Sequence, residues 1–148
     1  MIVAGVGFRR GVEAQEIVAL VAWALERAAL PPDALSGLAT AEPLAGVPAF
    51  LSAADRLSVR PLAVPRASLG EAAPRVRTRS ARALAAYGVG SVAEAAALAA
   101  AGPGAMLVLE RIASPSATCA LARGGDAGEP SSPDATQAAD AGDRESES

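Results

Sequence analysis

Between Val12 and Leu30 the residues Ile17, Leu20, Val21, Ala24, Leu25 and Ala28 recur at the i, i+3, i+4, i+7, i+8, i+11 spacing of one helix face. A stripe of that kind has to be buried against another layer, and it constrains the fold more than any other feature of the chain. Trp23 lies off the centre of the stripe, where partial exposure is expected. Directly ahead stands the apolar run Ile2 to Val6, bounded by Gly5 and Gly7, which reads as a buried strand. Strand, glycine-containing turn and helix thus follow one another without an intervening segment.

The same alternation continues. Pro31-Pro32 ends the helix, and Leu35 to Thr40 reads as a second strand. Phe50, Leu51, Ala54 and Leu57 mark a short helix that begins near Pro48, where a missing N–H is harmless. Val59 to Val64 is a third strand, with Pro61 pointing to a sheet edge. Pro65 to Val76 has no period and reads as a loop. Thr78 to Tyr87 predicts a helix with Ala83, Leu84 and Tyr87 on one side and Gly88 as its cap. Ser91-Val-Ala-Glu94 has the form of a capping box, in which the serine accepts from the third amide and the glutamate reaches back. It opens an alanine-rich helix to Ala101, stopped by Gly102-Pro103-Gly104. Met106 to Leu109 and Thr118 to Ala122 complete the set as strands paired across Glu110 to Ala117. This order predicts a single three-layer αβα domain of the α/β class over residues 1–123, with a mainly parallel, partly mixed sheet. Residues 124–148 are rich in Gly, Ser, Pro, Asp and Ala and read as an acidic, disordered tail.

Composition narrows the chemistry. The chain has no histidine, lysine or asparagine, and all thirteen basic residues are arginine. That excludes a Ser-His-Asp device, imidazole metal ligands, a Schiff-base lysine and a P-loop lysine. Neither a metal site nor a cofactor is expected, and independent catalysis would rest on Asp, Glu, Tyr87, serine or Cys119. The lone Cys119 lies in the apolar stretch Ala117 to Ala122 and reads as a small buried hydrophobe. No signal peptide and no membrane-length apolar run is seen, so a cytoplasmic location without membrane contact is expected. Residues 124–148 carry seven acids and one arginine, net −6, which leaves residues 1–123 at +3. A mildly basic domain suits an anionic ligand. Nucleic acid is not expected, because Phe8, Trp23, Phe50 and Tyr87 are the whole stacking inventory.

The turn Gly5-Val-Gly7-Phe-Arg-Arg-Gly11 places two guanidinium groups and a helix N-terminus together, which is equipment for holding an anion. The dinucleotide fingerprint wants a glycine where Arg10 stands, and Glu42 comes late for a ribose-binding acid. The alternatives are a purely structural turn, a nucleotide site, or another polyanion held by Arg9, Arg10 and the turn amides. Gly88-Val-Gly90-Ser91 forms a second glycine loop that also serves as helix punctuation. Arg75, Arg77, Arg79 and Arg82 form a basic cluster that suits either a solvated helix entrance or ligand contact. Arg111 follows a strand at the edge where α/β domains place ligands.

The blocks Gly5-Val-Gly-Phe-Arg-Arg-Gly-Val-Glu-Ala-Gln-Glu-Ile17 and Gly88-Val-Gly-Ser-Val-Ala-Glu-Ala-Ala-Ala-Leu98 resemble the two signature blocks of the CobE/CbiG C-terminal domain family of cobalamin biosynthesis. The ending, Leu107-Val-Leu-Glu-Arg111 with Thr118-Cys-Ala-Leu-Ala122, is similar to the family's last strands, where a basic residue follows one strand and a threonine opens the next. The resemblance spans residues 1–123. In that family the domain is either the C-terminal part of an anaerobic-pathway hydrolase that opens a cobalt-precorrin lactone or a stand-alone protein of the aerobic pathway, and the resemblance implies the stand-alone type here. The chain departs from many relatives in having Phe8 where they have cysteine.

Precorrins and corrinoids are flat apolar macrocycles edged by carboxylates, which arginine forks pair with bidentately. The resemblance therefore implies Arg9, Arg10 and Arg111 as carboxylate partners. Gly5, Gly7, Gly11, Gly90 and Ser91 would contribute turn amides, Glu94 belongs to the second block, and Thr118 would add a hydrogen bond. The expected function is the binding or handing on of a precorrin or corrinoid intermediate. The alternatives are an enzyme acting on a precorrin, with Glu16, Glu94 or Thr118 as acid–base or positioning groups, and a scaffold whose tail contacts other enzymes of the pathway.

Overall fold

The structure is a computed structural model and describes residues 1–125. Five strands form one sheet in the order β3-β2-β1-β5-β4. β1 (Ile2–Phe8), β2 (Leu35–Ala41) and β3 (Arg60–Val64) run parallel, and β5 (Ala117–Arg123) lies antiparallel between β1 and β4 (Met106–Ala113). Pro61 sits, as its missing N–H requires, on the edge strand β3.

Side-chain alternation along β1 assigns the two faces. Ile2, Ala4 and Val6 join the layer of α1 (Ala14–Arg27) and α2 (Pro48–Arg56), together with Ile17, Leu20, Val21, Leu38 and Phe50. Val3 points to the other layer, made by α3 (Arg66–Ala72) and α5 (Val92–Ala101), with Leu69, Val89 and Leu98. Helices on both faces of one mixed sheet make a single three-layer α/β domain, as the alternation predicts. Trp23 is 43% exposed, in keeping with its place beside the stripe.

Several boundaries differ from expectation for identifiable reasons. Gly5 and Gly7 lie within β1 rather than in the turn, which contains Arg10 and Gly11. α1 starts at Ala14 because the Val12 amide is taken by the Arg9 carbonyl, and it ends at Arg27, before the prolines. Ala29 adopts φ 58°, and the Leu30 amide returns to the Leu25 carbonyl at 2.9 Å, a helix terminus that needs no proline. The segment read as a loop contains α3, whose buried residues are Leu69 and Ala72 alone. Two inward residues give no period, so packing on α5 makes this helix rather than local pattern. β4 continues to Ala113, which shortens the hairpin connection to Ser114–Ser116.

Cys119 is buried beneath α1, and burial pushes its thiol up to about 12. We expect no modification of the folded protein by thiol reagents at neutral pH and one equivalent per chain after unfolding, read by mass spectrometry.

Among the described residues no single helix is long and apolar enough to cross a membrane. α4 (Ala81–Tyr87) and α5 pass such a test only as a pair bent by 57°, and α5 is the buried core helix. No group of His, Cys, Asp and Glu side chains among the described residues is placed to hold a metal ion. The expected acidic tail lies, from residue 126 onward, outside the described residues.

Candidate ligand-binding site

α5 approaches β1 so closely that side chains are excluded from the contact. A Cβ on Gly5 would stand 2.0 Å from the Ala93 carbonyl oxygen and 2.6 Å from the Ala97 amide. The glycine is therefore a seat for the helix, and the alanine-rich face of α5 is its counterpart. This contact fixes the N-terminus of α5 beside the C-terminal end of β1.

Ser91 caps α5, accepting from the Glu94 amide at 3.1 Å. That is half of the expected capping box; the other half is absent. The Glu94 carboxylate turns away from the Ser91 amide and accepts from the Arg77 amide (2.6 Å), the Thr78 amide (3.0 Å), the Thr78 hydroxyl (2.6 Å) and the Arg111 amide (2.9 Å). The residue is fully buried. Burial opposes its charge, but hydrogen bonds from Thr78, Arg111 and Arg77 outweigh that and hold its carboxyl below the ordinary value.

The Arg111 amide is free for this bond because β4 bulges. Leu109 opposes Leu121 and Ile112 opposes Cys119, so one extra residue of β4 is accommodated between them. A bulge leaves a residue outside the ladder, and here its N–H is aimed at Glu94. Glu94 thus ties the Arg77–Thr78 segment and the β4 bulge to the start of α5. Gly90 completes the knot: its carbonyl accepts from the Ser80 amide at 2.8 Å, and a Cβ there would meet the Thr78 oxygen at 2.2 Å.

These elements enclose a pocket of about 270 Å³ beyond the C-terminal end of β1. Ligands of open α/β sheets bind at such ends, where the chain leaves a strand towards opposite sides of the sheet. Of the ten residues predicted for the site, Gly7, Arg9, Ser91, Arg111 and Thr118 line the pocket. Gly5, Arg10, Gly11, Gly90 and Glu94 do not: Gly5, Gly90 and Glu94 are structural, and Arg10 and Gly11 are exposed on the turn. The Thr118 hydroxyl lies 3.4 Å from the Gly7 carbonyl oxygen.

Sequence reasoning missed one wall. α4 contributes Arg82, Ala83, Ala86 and Tyr87 to the pocket, and Ser80 caps it. Ala83, Ala86 and Tyr87 share a face by the i, i+3, i+4 rule, whereas Leu84, expected beside them, is exposed. Gly88, at φ +74°, ends α4 as anticipated. The Arg66 guanidinium stacks over Tyr87 at 5.5 Å and donates to the Ala86 carbonyl, holding the end of the wall. The arginine cluster disperses: Arg75 bonds the Ala105 carbonyl, Arg77 pairs with Glu110, and Arg82 turns to the pocket.

The opposite wall is the β4–β5 connection. Glu16, in the first turn of α1, accepts from the Ser114 hydroxyl and from the Ser116 amide at 2.7 Å. The Ser114 bond, with that of Ser116, holds the Glu16 carboxyl below its ordinary value. The Arg9 amide donates to the Ser116 carbonyl, so this turn amide is occupied rather than free for an anion. Phe8, stacked on Phe50 with centroids 6.0 Å apart, forms part of the apolar floor. The lining thus combines three arginines, several hydroxyls and an apolar surface, with no carboxylate.

A small α/β domain with an arginine-lined pocket at a strand end is, by this geometry, a candidate binder of anionic ligands. The family model described as "Cobalamin synthesis G C-terminus" (CbiG_C) matches residues 2–122, and the chain belongs to that family. Protein CobE from Sinorhizobium sp. is 37% identical over 121 residues, covering 82% of this chain and 79% of that protein. The crystal structure of CobE, a protein from the cobalamin (vitamin B12) biosynthetic pathway, is 35% identical with a TM-score of 0.78, covering 83% of this chain and 89% of that one. That of cobalamin biosynthesis protein chiG from Agrobacterium tumefaciens str. C58 is 31% identical with a TM-score of 0.68, covering 85% and 100%. The chain is a cobalamin-biosynthesis protein of the CobE/CbiG C-terminal family.

Proposed function

We propose that the pocket binds a precorrin or corrinoid intermediate by its carboxylate side arms and hands it on without altering it. The observation that carries this reading is a pocket with Arg9, Arg82 and Arg111 and no acidic residue in its lining, in a chain of the cobalamin pathway. Guanidinium forks pair with carboxylates bidentately, and the floor of Phe8, Tyr87 and Val92 accepts the apolar rim of the ring. A volume of about 270 Å³ falls just under the ~300–1,000 Å³ of pockets that engulf a ligand. The site therefore seats one edge of a macrocycle and leaves the rest outside, as suits transfer to a second protein.

The acid–base candidates Glu16 and Glu94 support a binding role over hydrolysis. Both carboxyls are committed to hydrogen bonds from the fold and neither residue lines the pocket, so neither is placed to act on a ligand bound there.

Titration with a corrinoid polycarboxylic acid, followed by visible absorbance, tests the proposal. Arg82→Gln and Arg111→Gln are each expected to weaken binding about tenfold, the worth of a hydrogen bond to a charged partner. Arg10→Gln, outside the pocket, is expected to change it little. Absence of retention by the folded protein, or equal affinity in all three variants, would overturn the reading.

A further inference from the structure

No residue of α4 is buried, although Arg82, Ala83, Ala86 and Tyr87 wall the pocket. Ala83 and Tyr87 are half-buried against the layer of α3 and α5, and the rest of the helix is exposed. The two ends of the element are clasped together, the Ser80 amide donating to the Gly90 carbonyl at 2.8 Å. Outside that clasp the chain is fixed on both sides, by the bonds of Arg77 and Thr78 to Glu94 and by the burial of Val89. Inside it, residues 81–88 form a closed excursion. The Leu84 amide donates to the Ser80 carbonyl and the Gly88 amide to the Leu84 carbonyl, so these bonds travel with the helix. Gly88, at φ +74°, gives the exit from the helix its backbone freedom. A segment with so little buried surface opens more readily than the core beneath it. Beyond the packing of Ala83 and Tyr87, Arg66 at the start of α3 ties the helix down, through the Ala86 carbonyl at 3.2 Å and the Tyr87 ring at 5.5 Å. Both contacts are exposed, and Arg66 has no carboxylate partner among the described residues, so this tie is easily broken and remade.

We propose that α4 is a flap over the pocket, hinged at the Ser80–Gly90 clasp and latched by Arg66, which opens to admit the ligand and closes to bring Arg82 onto it. The inference rests on the reading of the pocket as a carboxylate site and adds how that site opens. The pocket arginines belong to two bodies: Arg82 rides on the flap, whereas Arg9 and Arg111 stand on the frame, after β1 and in β4. A polycarboxylate that bridges them holds the flap shut. Arg66 lies outside the lining and acts as a positioning residue, on the flap rather than on the ligand.

Amide hydrogen exchange of the full chain tests the flap without any ligand. The Leu84 and Gly88 amides are expected to exchange on the order of 100-fold faster than those of Ala97 and Leu98 in α5. Arg66→Ala should raise the α4 rates about tenfold further, the worth of one charged hydrogen bond and a cation–π contact, and leave the α5 rates unchanged. Those α5 rates also report that the variant is folded. Stopped-flow absorbance with a corrinoid polycarboxylic acid then tests the gate. On- and off-rates should both rise about tenfold in Arg66→Ala, with Kd within about twofold of the native value, because the latch is lost equally from the free and the bound closed state. A static wall predicts the opposite split, as for Arg82→Gln, where the loss falls on Kd. Equal exchange of the α4 and α5 amides, α4 rates indifferent to Arg66→Ala, or a weakened Kd with an unchanged on-rate would each overturn the proposal. If the corrinoid is not retained while α4 exchange responds to Arg66→Ala, the flap stands and the ligand reading falls.

Discussion

Gly5→Ala is expected to lower stability by about 3 kcal/mol, with a fall in Tm of roughly 10 °C. The added methyl would lie 2.0 Å from the Ala93 carbonyl oxygen and 2.6 Å from the Ala97 amide, both backbone atoms of a buried helix. No side-chain rotation relieves such an overlap, so α5 has to move off the sheet. Its displacement opens the layer around Val3, Leu98 and Ala122 and shifts Ser91 and Val92 at the pocket. Gly11→Ala is the matched control, because a Cβ there meets nothing within 4 Å. Urea unfolding of the two variants provides the measurement. A loss below about 1 kcal/mol for Gly5→Ala would refute the close-contact account.

Glu94→Gln carries the second large effect, an expected loss of about 2–4 kcal/mol at neutral pH. The carboxylate accepts four hydrogen bonds in a site where only donors face it. An amide keeps one acceptor and presents N–H groups to donors that have no second partner. The same arrangement sets a pH dependence. Because the folded carboxyl lies below its ordinary value of 4.5, its contribution is complete above that value and is lost as pH falls through the lower, folded one. Glu16 acts in the same direction. Stability measured from neutral pH down to about pH 3 should therefore fall steeply in the native protein and less in Glu94→Gln. Parallel curves would show that Glu94 titrates alike in both states.

The same residue shows why the site was only half legible in sequence. Ser91-x-x-Glu94 satisfies a local rule, and the serine obeys it. The glutamate answers instead to Arg77, Thr78 and Arg111, sixteen or seventeen residues away on either side. Arg82 was visible as one of four clustered arginines, yet nothing in a cluster says which member faces inward. That was settled when α4 folded over the end of β1. Gly5 misled in the opposite sense, since a glycine between strand and helix suggests a turn, whereas this one answers to a helix that begins at Val92, 87 residues later.

What the sequence determined by itself was the layered α/β domain, because burial periodicity, prolines at a sheet edge and glycine stops act over a few residues and are written in consecutive positions. Cys119 in the core and Gly88 as a cap belong to the same class of local inference. The tertiary structure alone decided which charges meet. The β4 bulge, the seat of α5 on Gly5 and the wall made by α4 are products of long-range packing, and they gather Arg9, Arg82 and Arg111 around one pocket while consuming Glu94 and Glu16 in the frame.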